Sequence, residues 1–137
     1  GLVFALKQGA SLTEKKNKSI ASKVVLSGGG AQSDSIVQIT ADIFGLPAQR
    51  PHTNETSALG AAIDAAVGLK LHPNFVAAVK EMTWPGQVFN PIQENKKLYQ
   101  ELYDKIYTKI YPRLLPLYKD IQEITGYPES AKIGGKK

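Results

Sequence analysis

The hydrophobic positions along the chain alternate between short strand-like runs and segments with helical spacing. Residues 23–27 form an apolar run with two adjacent valines, which predicts a short buried strand. Isoleucines then recur every three or four positions over residues 35–44, which predicts a helix. Ser33 or Asp34 is placed to cap the beginning of this helix, and Gly45 its end. A strand followed directly by a helix is typical of an α/β fold.

The middle of the chain continues this alternation. The proline within residues 46–50 predicts an extended segment at a sheet edge or at the start of a strand. A second helix is predicted over residues 55–69, where many small side chains would let another backbone approach closely, and a short helix over residues 75–82. Turns are predicted at residues 84–87 and 90–91. Only about two strands can be recognised in this pattern.

Both ends of the chain are predicted to contain helix. Residues 1–9 have the character of the end of a helix that stops at Gly9, and residues 11–22 that of a polar loop or a frayed helix end. Residues 95–125 predict a long helix, which its two internal prolines should kink or split. Tyrosines recur on it at every fourth position, and we expect them to pack the helix onto the domain. An interface with another domain or with a second protomer, as in a homodimer, is the alternative. These residues are Tyr99, Tyr103, Tyr107, Tyr111, Pro112 and Pro116.

The composition is that of an ordinary globular protein. The chain has 137 residues, of which 42% are hydrophobic and 21% charged, and this length allows one compact core. It has no cysteine, which excludes disulfides and thiol chemistry and favours a cytoplasmic protein. No apolar run reaches the roughly 18–20 residues that a membrane span needs, so we expect no membrane partner.

The net charge of +5 raises the question of a nucleic-acid partner. Six of the lysines, however, form two clusters at residues 15–18 and 132–137, and neither cluster contains an aromatic side chain that could stack on bases. We therefore expect no nucleic-acid partner. Residues 129–137 are predicted to be a flexible basic tail.

Three consecutive glycines, Gly28 to Gly30, lie between the predicted strand and helix at residues 23–27 and 35–44. Glycine lets a backbone approach a ligand closely, and a helix N-terminus attracts anions, so the pattern favours a phosphate cradle. A tight strand-to-helix turn without a ligand would use glycine equally well, and the local sequence leaves both readings open. A P-loop is excluded because no Gly-Lys-Ser/Thr follows. A dinucleotide-binding unit fits poorly because no strand with a terminal acidic residue comes about twenty residues later.

Three blocks of sequence together resemble the C-terminal domain of the FGGY family of carbohydrate kinases. They are Leu-Ser-Gly-Gly-Gly-Ala at 26–31, Ala-Asp-Ile-Phe-Gly-Leu-Pro at 41–47 and Glu-Thr-Ser-Ala-Leu-Gly-Ala-Ala at 55–62, in the order and at the spacing of the family. The Phe-Asn-Pro turn at 89–91 and the tyrosine-rich last helix extend the resemblance. It implies part of an actin-like, ribonuclease H-like ATPase domain of the α/β class with a long C-terminal helical region.

The resemblance also implies a function and site residues. Members of the family use ATP, with Mg²⁺ held through the nucleotide, to phosphorylate a sugar or polyol in a cleft between two domains. Carried over by position, Gly29, Gly30 and Ala31 would line the α-phosphate and ribose of the nucleotide. Asp34 stands where several relatives have an asparagine near the adenine, so it keeps an acceptor and loses the amide donors. Weaker candidates on the same turn are Gln32 and Ser33.

The resemblance places no catalytic residue in this chain. The general base, an aspartate, and the sugar-binding groups of the family would lie upstream of it, and no metal ligands can be assigned here. Asp42 and Asp64 are interpreted as surface or packing residues. Glu55 and Thr56 are interpreted as structural, since this block packs a helix beside the nucleotide.

The chain begins with Gly1 in an apolar segment, and its only methionine is Met82, which suggests a piece of a longer kinase. We therefore expect residues 1–128 to be the C-terminal part of the nucleotide-binding domain. The whole parent would be the enzyme, and the isolated piece would be inactive. Two alternatives remain: a small non-catalytic actin-like nucleotide-binding module, and an interaction module that uses the tyrosine-rich helix.

Overall fold

A computed structural model of the chain describes residues 1–127. Its contacts divide the molecule into two compact units, Gly1–Gln100 and a second that begins at Glu101. The predicted tail at residues 129–137 lies outside the described residues. The helices and strands, numbered in chain order, are α1 (Leu2–Asn17), β1 (Val24–Val25), α2 (Asp34–Phe44), β2 (Ala48–Pro51), α3 (Thr56–Gly68), α4 (Phe75–Met82), β3 (Pro85–Phe89), α5 (Gln93–Leu102) and α6 (Thr108–Thr125).

The first unit contains a three-stranded mixed sheet in the order β1-β2-β3. β1 and β2 are parallel, with Val24 opposite Ala48, and α2 forms the crossover between them. β3 is antiparallel to β2, with Phe89 opposite Ala48, and the pairing is irregular between Gln49 and Pro51. Because β1 and β2 are parallel, their carboxyl ends meet at one edge of the sheet, beside the beginning of α2.

The core of this unit forms where α2 packs on the sheet. Val37 and Ala41 of α2 and Ala48 of β2 are fully buried, and Leu26 and Phe89 pack against them. α2 ends at Gly45, which has φ +67° and donates its N–H to Ala41 O, as the sequence predicts. The Nζ of Lys7 in α1 donates to the carbonyl of Ile43 at 2.7 Å, so a cation lies at the negative end of α2.

The N-terminal helix corrects two sequence predictions. α1 does not stop at Gly9 but continues through the polar residues to Asn17, where Lys18 closes it with φ 52° and an N–H donated to Glu14 O. An interior glycine costs a helix only about 1 kcal/mol relative to alanine and does not end it without a capping bond. The segment read as a loop or frayed end is therefore helical up to Asn17.

The strands differ from the predictions in burial, position and number. β1 is not a buried strand, because Val25 is 56% exposed. Pro47 precedes the strand β2, as predicted, but β2 is the central strand rather than an edge. The segment around Trp84 to Gln87, predicted as a turn, belongs mostly to β3, the third strand that the pattern misses. Its pairing with β2 outweighs the turn preference of its Pro-Gly pair.

The second unit is helical. α5 leads into a wider, π-type turn at Tyr103–Tyr107, and α6 continues through Pro112 and Pro116 without the predicted split. Each proline removes one N–H and crowds the carbonyl four residues earlier, which favours a bend, but neither Pro112 nor Pro116 ends α6. Tyr103 and Tyr107 stack with ring centroids 5.5 Å apart. Burial, and then the neighbouring Tyr107 and Asp104, raise the pKa of Tyr103 above its ordinary value.

Candidate functional site

The three glycines form a single turn between β1 and α2, which we call the glycine turn (Gly28–Gln32). Gly28 has φ 84° and ψ −172°, a conformation that is essentially reserved for glycine. The next four residues, Gly29–Gln32, form one turn of 3₁₀ helix, in which the N–H of Ala31 donates to Gly28 O at 3.1 Å. The turn therefore redirects the chain from the sheet edge into α2, and Gly28 alone supplies the unusual backbone angle.

Gly29 and Gly30 do not adopt a backbone conformation that requires glycine. Their backbone lies outside the left-handed region, both are exposed, and a Cβ added to either would meet no atom within 4 Å. Neither backbone geometry nor packing among the described residues requires glycine at these two positions. Without side chains, the backbone of Gly29 and Gly30 is an open surface, here called the cradle, that a ligand can approach closely.

The turn leads directly to the positive end of α2. Ser33 occupies the N-cap position, but its side chain makes no capping hydrogen bond, so the predicted cap is present in position only. Asp34 lies in the first turn, where a negative charge is favoured. α2 has 11 residues, enough for its aligned peptide dipoles to favour an anion at this end.

Arg50 joins the glycine turn to two strands of the sheet. Its guanidinium forms an ion pair with Asp34 Oδ1, donates to Gln87 Oε1 at 2.8 Å, and approaches the carbonyl of Gln32 at 3.4 Å. It also lies 5.0 Å from the ring centre of Phe89, within the range of a cation–π contact. The Arg50 side chain is only 16% exposed, whereas that of Asp34 is 69% exposed.

Arg50 was missed as a site residue by sequence reasoning. It lies near the carboxyl end of β2, which a parallel arrangement places beside the carboxyl end of β1 and thus beside the glycine turn. The position of Arg50 beside the glycine turn can be inferred only if β2 is known to pair in parallel with β1. The sequence pattern predicted this segment as extended without giving it a partner.

The structure places the predicted site residues on one turn but in different environments. Gly29, Gly30 and Asp34 are exposed at its surface. Ala31 is 1% exposed and its N–H is already engaged, so its methyl group faces the interior. The weaker candidate Gln32 is exposed, with its carbonyl facing Arg50.

Two cavities of the first unit adjoin the turn. A groove of about 710 Å³ runs between α1, β1 and α2 and includes Gly30 and Ala31 in its lining, which is mostly apolar. A shallower cavity of about 400 Å³ begins at Asp34 and Ser35 and extends along one face of α2 to Tyr99. The larger groove thus reaches the open Gly30, and the shallower cavity begins at the start of α2.

Asp42 on α2 is a structural carboxylate, as expected. It is 1% exposed, and its Oδ1 accepts from Gln38 Nε2 at 2.9 Å and from the N–H of Ile92 at 2.7 Å. Its Oδ2 accepts from Asn95 Nδ2 at 2.8 Å. These bonds tie α2 to the segment that follows β3 and leave no proton-accepting role for this aspartate. Asp64, in contrast, is exposed on α3.

Two kinds of feature are absent from the described residues: a cluster of metal ligands and a membrane-spanning helix. Within residues 1–127, no group of three or more histidine, aspartate or glutamate side chains could hold a metal ion. Over the same range, every helix is too short or too polar to cross a bilayer.

The fold is that of sugar kinases of known structure. The xylulose kinase from Lactobacillus acidophilus superimposes with a TM-score of 0.76 and 25% identity, over 88% of this chain and 24% of that one. The gluconate kinase from the same organism gives 0.75 and 25%, over 88% and 24%. Plasmodium falciparum glycerol kinase, solved with ADP, shares the fold at a TM-score of 0.63 and 18% identity. The predicted fold class, a partial actin-like ATPase domain of α/β type, is confirmed.

Residues 1–69, half of the chain, match the FGGY family of carbohydrate kinases, C-terminal domain. The chain belongs to this family, and the resemblance drawn from the three sequence blocks is confirmed. A sugar kinase of uncharacterised specificity from Escherichia coli, YgcE, is 47% identical over 79 residues, covering 58% of this chain and 16% of its own. The autoinducer-2 kinase of Yersinia enterocolitica is 39% identical over 80 residues, covering 58% and 15%. The chain thus spans about a sixth of these curated relatives.

Proposed function

We propose that the chain supplies the adenosine and α-phosphate side of the nucleotide site in an ATP-dependent sugar or polyol kinase. The observation that carries this proposal is the open cradle at Gly29 and Gly30. Glycine at these positions is unexplained by the chain's own fold, and the cradle adjoins the positive end of α2. Family membership supplies the class of ligand.

The residues of the turn divide into two roles in this proposal. The backbones of Gly29 and Gly30 contact the nucleotide directly, and Asp34 offers an acceptor oxygen beside them. Ala31, which the resemblance includes among the nucleotide contacts, has its N–H bonded to Gly28. Its contribution would be to fix the turn. When bound, the nucleotide supplies the phosphoryl group, and Mg²⁺ accompanies it through the phosphate oxygens.

The chemistry of transfer is proposed to need groups from outside residues 1–137. Phosphoryl transfer requires the acceptor hydroxyl, the triphosphate and Mg²⁺ to be held in line. Asp42 is committed to packing by its hydrogen bonds, and Asp64 lies on α3 rather than on the turn. We therefore propose that residues 1–128 are the C-terminal part of the nucleotide-binding domain and that the general base belongs to another part of the kinase.

The substrate is proposed to be a small polyhydroxylated compound. The relatives and structural neighbours include kinases named for xylulose, gluconate and autoinducer-2. The parent enzyme would transfer a phosphoryl group from ATP to one hydroxyl of such a compound.

Calorimetry on the 137-residue chain tests the proposal. We expect weak ADP binding, with an affinity on the order of millimolar, and no sugar-dependent ATP hydrolysis. Gly30→Ala should weaken ADP binding by about tenfold, because its methyl group fills the cradle. Gly60→Ala is the matched control, since Gly60 is exposed on α3 and a Cβ there also meets nothing within 4 Å. Undetectable ADP binding by the wild-type chain would contradict the proposal, and sugar-dependent turnover would contradict the requirement for outside groups.

A further inference from the structure

The ion pair between Asp34 and Arg50 raises an electrostatic question about the proposed nucleotide site. A carboxylate in the first turn of α2 lies next to the glycine turn, where the α-phosphate is proposed to bind, and like charges repel. A free Asp34 would therefore work against the anion that the helix end favours.

The geometry around Arg50 answers this question. One carboxylate oxygen of Asp34 is held by the guanidinium, so the two charges together are locally neutral. Within residues 1–127, Oδ2 of Asp34 has no hydrogen-bond partner and remains available as an acceptor. The guanidinium cannot easily swing away, because Gln87, the Gln32 carbonyl and Phe89 surround it.

A second observation concerns which nitrogens of the Arg50 guanidinium have hydrogen-bond partners. Its Nε is buried and has no partner among the described residues, which is costly for a charged group. The two terminal nitrogens, in contrast, both face the end of the glycine turn and the start of α2. The terminal nitrogens thus join the end of the glycine turn and the start of α2 to Gln87 of β3, while Nε has no partner among the described residues.

We propose that Arg50 is a positioning residue of the nucleotide site, which fixes the end of the glycine turn and neutralises Asp34 so that a polyphosphate can approach. This inference rests on the proposed function. It assigns to Arg50 an indirect role, through Asp34 and the Gln32 carbonyl, and not a contact with the reacting atoms.

A double-mutant cycle on ADP binding by the 137-residue chain tests the charge-neutralising role. Arg50→Met should weaken ADP binding by about tenfold and adenosine binding much less, since adenosine has no phosphates to be repelled. Adding Asp34→Asn to Arg50→Met should restore most of the ADP affinity, because the unpaired carboxylate is gone. Arg50→Lys should retain part of it. Arg113→Met, which makes the same change at an exposed position of α6, is the control.

Amide hydrogen exchange tests the positioning role without any nucleotide. Arg50→Met should speed exchange at Ala31 and Ser33 by about tenfold, because the Gln32 carbonyl loses its partner, and should leave the core amides of Val37 and Ala41 unchanged. If Arg50→Met also unfolds the core, Arg50→Lys decides: it keeps a cation beside Asp34, so a folded Arg50→Lys chain should still bind ADP, and its smaller head group should speed exchange at Ala31 and Ser33.

Four outcomes separate the two proposals. No ADP binding by the wild-type chain overturns the proposed function. Wild-type binding that Arg50→Met leaves unaltered, or a loss that Asp34→Asn fails to restore, overturns the neutralising role of Arg50. A folded Arg50→Lys chain that no longer binds ADP does the same. Unchanged exchange at Ala31 and Ser33 overturns the positioning role.

Discussion

Two regions of the first unit carry glycines in or just after a strand of the same sheet, yet the space around these glycines differs. At Gly86 in β3, an added Cβ would lie 2.7 Å from the carbonyl oxygens of both Arg50 and Pro51. At Gly29 and Gly30 in the glycine turn, an added Cβ would meet nothing within 4 Å. Glycine is required at position 86 because the backbone of β2 leaves no space there for a Cβ. The other two glycines are not required by the backbone or packing of the described residues and, unlike the equally open Gly60, they adjoin the positive end of α2, which supports the proposed site.

Gly86→Ala should have the largest effect on stability. The methyl group would overlap backbone atoms of β2, which cannot rotate away as a side chain would, so we expect a loss of about 2–3 kcal/mol in the free energy of unfolding. Urea denaturation of the variant and of Gly60→Ala measures it. A loss of stability no greater than that of Gly60→Ala would show that β2 and β3 can move apart at little cost. The steric difference between Gly86 and the glycine turn would then have no effect on stability.

Gly28→Ala should have an intermediate effect. No atom blocks a Cβ at this position, but φ 84° with ψ −172° is strained for any other residue, so we expect a loss of about 1–2 kcal/mol. Thermal unfolding is the measurement. This variant separates backbone strain from steric contact within the same turn, and an unchanged midpoint would mean that the turn adopts another conformation.

Gly29→Ala and Gly30→Ala should have the smallest effect on stability, and in the opposite direction. Alanine restricts the unfolded chain and is not strained at these positions, so stability should stay the same or rise by about 0.5 kcal/mol. ADP affinity should nevertheless fall. A substantial loss of stability in either variant would mean that the glycines serve the fold, and the ligand argument would lose its main support.

The parts of the fold that local pattern decides were predictable from sequence. The helix α2 and its end at Gly45 follow from isoleucine spacing and a glycine cap, and Phe75–Met82 is helical as predicted. The strand β3 was not predictable, because its Pro-Gly sequence favours a turn until β2 pairs with it. The continuation of α1 beyond Gly9 depends on a left-handed cap at Lys18, for which the sequence gives no signal.

The candidate site was predictable in place and only partly in detail. The three sequence blocks located the glycine turn, but the sequence alone could not assign different roles to its three glycines. That distinction needs the backbone angle of Gly28 and the open space around Gly29 and Gly30. Arg50 could not be assigned either, because its hydrogen-bond partners lie 16 to 37 positions away in sequence.

The central claim is that the glycine turn receives a nucleotide, and amide chemical shifts during an ADP titration of the ¹⁵N-labelled chain test it most directly. The account predicts that the largest shift changes fall on Gly29, Gly30 and Asp34, and that Gly30→Ala suppresses them while Gly60→Ala does not. Shift changes confined to other parts of the chain, or unaltered by Gly30→Ala, would contradict it.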